Sequence, residues 1–142
     1  MERVMLEKYQ KLTKEFEELR LKPYRCTAGK LTIGYGRNLE DVGISPSEAA
    51  YLFQADFARA IQDAIKLCKE YDIEYKDLIE QRFYVIVDMC FNMGIQRTRK
   101  FKKFFSALKK GLYEDASKEM LDSLWAKQVG NRAVKLSALM KG

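Results

Sequence analysis

The sequence predicts an α+β fold that is mainly helical, with a small β-hairpin lobe joined by a long helix to a helical bundle lobe. Three observations predict it. Apolar residues recur at helical spacing along most of the 142 residues. One short glycine-studded stretch, from Tyr24 to Gly36, breaks that period and alternates as strands do. The segment Phe83–Met93 is apolar nearly all round, which only a helix surrounded by others can afford.

Taken in order, Met5, Tyr9, Leu12, Phe16 and Leu19 draw one apolar stripe along a first helix, which Pro23 stops near Leu21 or Lys22. Leu31-Thr32-Ile33-Gly34-Tyr35 reads as a strand, Thr27-Ala28-Gly29-Lys30 as the turn before it, and Tyr24-Arg25-Cys26 as its partner. Arg37 to Ile44 is a connection. Ser45-Pro46-Ser47-Glu48 starts a helix: Ser45 caps, Pro46 suits the first turn and Glu48 completes a capping box. That helix meets no breaker until about Lys69, and Tyr71–Asp77 reads as a second connection. Gly94 closes the apolar helix Phe83–Met93. Shorter helices follow at Phe101–Lys110, Tyr113–Leu124 and Asn131–Lys141, parted near Gly111 and Gly130. No repeat or linker divides the chain, so 1–142 reads as one domain. Its small lobe covers about 20–44, and 1–19 with 70–142 make the helical lobe, linked by helix 46–69.

Composition narrows the chemistry. With 47% apolar and 32% charged residues the chain belongs among folded proteins. No apolar run reaches membrane-spanning length, and the charged segment Met1–Lys8 has no secretory apolar core, so synthesis in a cytoplasm is expected. The absence of histidine removes histidine-based triads and Cys/His zinc sites. Cys26, Cys68 and Cys90, an odd and widely spaced set, read as free thiols. The net charge of +6 favours encounter with polyanions. Its only dense cluster is Arg97-Thr98-Arg99-Lys100 with Lys102 and Lys103, which reads as solvated surface before it reads as a nucleic-acid footprint.

Glu17 is the first candidate for chemistry. Near a helix C-terminus the macrodipole disfavours ionisation, and burial beside the apolar stripe would act in the same direction. A general acid needs both. In a run with Glu15 and Glu18, however, a glutamate also reads as a solvated helix residue.

Glu17-x-Leu19-Arg20-Leu21-Lys22-x-Tyr24, then Gly29 and Thr32-Ile33-Gly34-Tyr35-Gly36, resembles the signature of the phage-type lysozymes in order and spacing. Phe91-Asn92-Met93-Gly94 is similar to that family's central helix end, and Trp125 with Asn131-Arg132 to its C-terminal motif. The resemblance implies a lysozyme-like fold and a muramidase, a phage or prophage endolysin that cleaves the β-1,4 bond between N-acetylmuramic acid and N-acetylglucosamine for host cell lysis. It implies Glu17 as general acid, Thr32 as a holder of the attacking water, and Arg132 as the residue that orients the glutamate. Phe91 falls where an aromatic lines the saccharide cleft, and Asn38 and Phe104 fall at sugar-contact positions. Read without the family, Thr32 is a strand former, Phe91 a core ring, Asn131 a helix cap and Arg132 a surface charge.

No metal or organic cofactor is implied. The expected partner is the glycan strand of peptidoglycan, met by a monomer without nucleic acid. A holin-like pore or lysis would release the protein to the wall.

Three positions depart from the family pattern. Glu18 replaces a glycine and sets a second negative charge beside the acid; Arg37 replaces a histidine; Cys26 stands at the catalytic aspartate. Glycoside hydrolysis usually needs one protonated and one deprotonated group. A carboxyl and a free thiol, with ordinary pKa values of about 4.3 and about 8.5, ionise in the wrong order for this division of labour. Arg25 and Arg37, if they approach Cys26, would lower its pKa. Two other readings stay open: a lysozyme fold that has lost turnover and serves as a glycan-binding or scaffold module, and a nucleic-acid binder resting on charge alone.

Overall fold

The computed structural model describes the backbone of residues 2–142 and the side chains of residues 6–142, so the place of Met5 in the first stripe lies outside the described residues. The chain forms two compact units, residues 1–51 and 52–142.

The first unit holds α1 (Glu2–Phe16), β1 (Arg20–Arg25), β2 (Leu31–Gly34) and β3 (Arg37–Asn38), and the beginning of α2 (Pro46–Glu70). The strands form one antiparallel sheet in the order β1-β2-β3. Helix α1 ends earlier than Pro23 alone predicts, because the chain is already extended at Arg20. Pro23 sits within β1, whose one flank is unpaired, where a missing N–H costs least. The strand is irregular there: Arg20 pairs Gly34 and Tyr24 pairs Thr32, so four steps on β1 oppose two on β2. The third strand lies in the stretch read as a connection; Thr32 pairs Asn38 and Ile33 pairs Arg37. Thr32 is thereby the centre of the sheet, between Tyr24 and Asn38, and it is buried.

The predicted capping box forms. The Glu48 N–H donates to Ser45 Oγ at 3.2 Å, and the Ser45 N–H donates to Glu48 Oε1 at 2.8 Å. Glu48 also accepts from Arg37 Nη1 at 2.8 Å, while the same guanidinium reaches the Gly43 carbonyl at 3.1 Å. One carboxylate therefore both starts α2 and fastens β3 to it. Arg25 bonds Glu40 at 2.7 Å and Lys30 pairs Asp41 at 3.3 Å, closing the sheet's other end with polar contacts.

The second unit contains the rest of α2 and α3 (Glu80–Met93), α4 (Ile95–Arg99), α5 (Lys102–Lys109), α6 (Tyr113–Leu121), α7 (Leu124–Val129) and α8 (Asn131–Lys141). Residues Val85 to Cys90 of α3 are all buried, as the all-round apolar pattern predicts. Phe104, Phe105, Leu67, Met89, Met120 and Met140 complete the core, and Tyr71 stacks on Phe105 with centroids 4.4 Å apart. Burial of such side chains stabilises by about 1.5–3 kcal/mol each. Helix α6 packs on α5 and α8, with the Ser117 hydroxyl donating to the Ser137 carbonyl at 3.0 Å. Gly94, Gly111 and Gly130 all take positive φ where the pattern breaks. The stretch read as one helix to Leu124 is two: Ser123 caps α7 by accepting from the Ala126 N–H at 3.1 Å. Gly130, not Asn131, occupies the cap of α8.

Candidate active site

Glu17 follows the last residue of α1, and its N–H donates to the Thr13 carbonyl at 3.0 Å. It is exposed, which corrects the expectation of burial beside the apolar stripe. Its carboxyl reaches the glycine-rich end of the hairpin. A Cβ on Gly36 would lie 3.0 Å from Glu17 Oε2 and 3.2 Å from Cδ. One turn earlier on α1, the Lys14 ammonium lies 5.3 Å from the centroid of the Tyr35 ring, so the helix end bears on both residues of the hairpin tip. The negative charge beside Glu17 is diverted: Glu18 pairs Arg20 at 3.3 Å, and Arg20 lies over the Tyr24 ring.

Cys26 opens the turn into β2. Its N–H donates to the Lys30 carbonyl at 3.0 Å, and its carbonyl accepts from the Gly29 N–H at 2.8 Å. This tight loop aims backbone N–H groups at the sulfur. The Cys26 thiol is held below its ordinary pKa, first by the Lys30 N–H, then by the Ala28 N–H, against some desolvation, with the Thr32 hydroxyl adding to the effect. The arginines expected to do this are occupied elsewhere, Arg25 with Gly29 O and Glu40, Arg37 with Glu48 and Gly43 O. Thr32 Oγ1 also donates to the Lys30 carbonyl at 2.8 Å, the same oxygen that accepts from the Cys26 N–H. Asn38 is half-buried, with its amide donating to Asp41 at 2.9 Å.

The second unit holds the remaining candidates. Phe91 is 36% exposed and meets Phe53 edge-on at 5.5 Å. With Asp56, Arg59, Asp63 and Gly94 it lines a concavity of about 300 Å³. Phe104 is a correction: at 1% exposure it packs against Phe101 and Phe105 and belongs to the core rather than to a sugar-contact surface. Arg132 donates through Nε and Nη2 to both oxygens of Asp88, at 2.8 and 2.9 Å. Asp88 is a residue the sequence reading passed over, hidden in an apolar run, and Tyr84 donates to it at 3.4 Å. The role of Arg132 toward Glu17 rests on the resemblance alone. Trp125 donates its indole N–H to Asn92 at 2.7 Å, joining two motifs that the sequence reading treated separately. Arg99 and Arg97 of the basic cluster are tied to Glu70 and Gln128. Among the described residues no three Cys, Asp or Glu side chains gather as metal ligands would.

The phage lysozyme family model matches residues 14–141. The chain belongs to the phage lysozyme family. It is 26% identical to probable T4-type lysozyme 1 of Dictyostelium discoideum, with 96% of this chain and 95% of that protein aligned. It is 30% identical to the endolysin of Acyrthosiphon pisum secondary endosymbiont phage 1, over 92% of this chain and 86% of that one. Similarity extends to the pre-baseplate central spike protein Gp5 of Enterobacteria phage T4, at 29% identity over 87% of this chain but only 26% of that longer protein. Among the described residues of this chain no helix is long and apolar enough to cross a membrane.

Proposed function

We propose that this member of the phage lysozyme family is a peptidoglycan hydrolase of the muramidase type, cleaving the β-1,4 bond between N-acetylmuramic acid and N-acetylglucosamine. Glu17 donates the proton to the glycosidic oxygen, and the Cys26 thiolate supplies the deprotonated partner. The observation that carries this reading is the turn Cys26–Lys30, whose N–H groups together with Thr32 favour the thiolate and so narrow the mismatch between a carboxyl acid and a thiol base. Acting as base on a water held at Thr32, the thiolate gives inversion. Attacking the anomeric carbon itself, it gives retention through a thioglycosyl intermediate that water then releases. The anomer of the first product, read by NMR, separates these two courses. The half-exposed Phe91 ring, beside a concavity bearing carboxylates, is suited to stack on a sugar. The positive net charge assists encounter with an anionic wall. The endolysin role, with release through a holin-like pore, is part of the same proposal.

The test is digestion of purified cell-wall sacculi, with soluble fragments identified by mass spectrometry. The parent is expected to release fragments with new N-acetylmuramic acid reducing ends, and Glu17→Gln, which keeps the shape and loses the transferable proton, to release none. Equal release by Glu17→Gln would move the acid elsewhere. Sacculus binding without release by the parent would favour the binding-module reading.

A further inference from the structure

We propose that Gly36 is a positioning residue for Glu17: its bare Cα is the bed on which the carboxyl of the acid rests. The proposal depends on Glu17 being the general acid. Four glycines of the first unit take positive φ, namely Gly29 at 78°, Gly34 at 70°, Gly36 at 82° and Gly43 at 65°. At three of them a Cβ would meet nothing within 4 Å. At Gly36 alone it would meet a functional group, with Oε2, Cδ and Oε1 of Glu17 at 3.0, 3.2 and 3.6 Å. Turn geometry explains a glycine at every one of these positions. It does not explain why the carboxyl of Glu17 lies against one of them.

The bed is itself held on both sides. Arg37, the next residue, is fixed by Glu48 and the Gly43 carbonyl, and Tyr35, the residue before, lies under the Lys14 ammonium. Because Glu17 follows the last residue of α1 and is exposed, the helix itself does little to fix its side chain. A methyl group at Gly36 would displace the carboxyl by a few tenths of an ångström or swing it away. Errors of about 1 Å in a reacting group cost about 100-fold in rate, so a smaller displacement is expected to cost about tenfold.

The experiment compares Gly36→Ala with Gly34→Ala and Gly43→Ala. All three carry the strain of a side chain at positive φ and should lower the melting temperature by similar amounts. Only Gly36→Ala should lower kcat about tenfold with KM kept. Activity retained by Gly36→Ala, or lost equally by Gly34→Ala and Gly43→Ala, would overturn the proposal. Glu17→Gln is run alongside: if it keeps full activity, it is the assignment of the acid that has failed. A measurement on the parent guards against a variant that does not fold. The Gly36 amide shift, followed by NMR against pH, should titrate with the Glu17 carboxyl and go flat in Glu17→Gln. A Gly36 amide indifferent to Glu17 would also overturn the proposal.

Discussion

Every buried apolar side chain among the described residues belongs to the second unit, whereas the first unit's one fully buried side chain is a threonine, Thr32. The helices of residues 52–142 close over Phe104, Phe105, Met89, Met120 and Met140, and bury a hydrogen-bonded Ser117. The sheet of residues 1–51 is fastened instead by Arg25–Glu40, Lys30–Asp41 and Arg37–Glu48, each with partly exposed partners. Exposed ion pairs contribute little individually and are screened by salt. The difference teaches where stability and chemistry reside. The bundle supplies the free energy of folding, and the residues proposed to react sit on a lightly held sheet that should open first.

The largest effect expected from this contrast is at Phe105. Phe105→Ala removes a ring with no exposed surface that stacks on Tyr71, and should cost about 3–5 kcal/mol in urea denaturation. A cost below about 1 kcal/mol would mean that the bundle is not the source of stability. Next comes Arg132→Ala, which leaves the buried Asp88 without its cation. It should cost about 1–3 kcal/mol, since Arg132 keeps part of its side chain in water. Adding Asp88→Leu should recover much of that loss, because the stranded charge is then gone. A double variant no better than the single one would show that the pair is not what holds this part of the bundle.

A smaller and more local effect is expected in acid. The Arg37 guanidinium and the Ser45 N–H pull the Glu48 carboxyl down to about 2 from an ordinary 4.5. A depressed carboxyl stabilises the fold above its ordinary pKa, and that contribution drains away as pH falls from about 4.5 through about 2. Amide exchange at Arg37 and Gly43 should therefore accelerate over that window while Val85–Cys90 stay protected. Glu48→Gln should abolish the pH dependence. Uniform exchange across both units would erase the contrast.

Much of this arrangement was legible in the residues, and what was not has identifiable causes. Ser45-Pro46-Ser47-Glu48 announces α2 because a capping box is local chemistry, written within four positions. The apolar run Phe83–Met93 announces a central helix, since period and burial agree there. β3 was missed because two residues cannot display an alternation, and α4 because five residues complete little more than one turn. The boundary between α6 and α7 carried a signal in Ser123, a capping residue type, but no glycine or proline marks the break there as at Gly111 and Gly130. At the candidate site Glu17, Cys26 and Thr32 were legible as a motif. The cause of the lowering of the thiol pKa was not, because the main donors are backbone N–H groups, which leave no trace in residue identity. Asp88 and Gly36 matter through partners distant in sequence, and only the folded chain supplies those.

The central claim is that Cys26 takes the part of the second catalytic group, and its most direct test is the rate of peptidoglycan cleavage against pH for the parent and Cys26→Asp. Burial pushes the Cys68 thiol up to about 11 and the Cys90 thiol up to about 12, so iodoacetamide should label Cys26 selectively. For the parent the account predicts a bell-shaped rate, because the reacting species keeps one group protonated while the other is ionised, and its abolition by that labelling. For Cys26→Asp, whose carboxyl ionises near 4, it predicts faster cleavage with an optimum in mildly acidic solution and no sensitivity to iodoacetamide. A parent that is inactive at every pH, indifferent to alkylation and not rescued by aspartate would contradict the account.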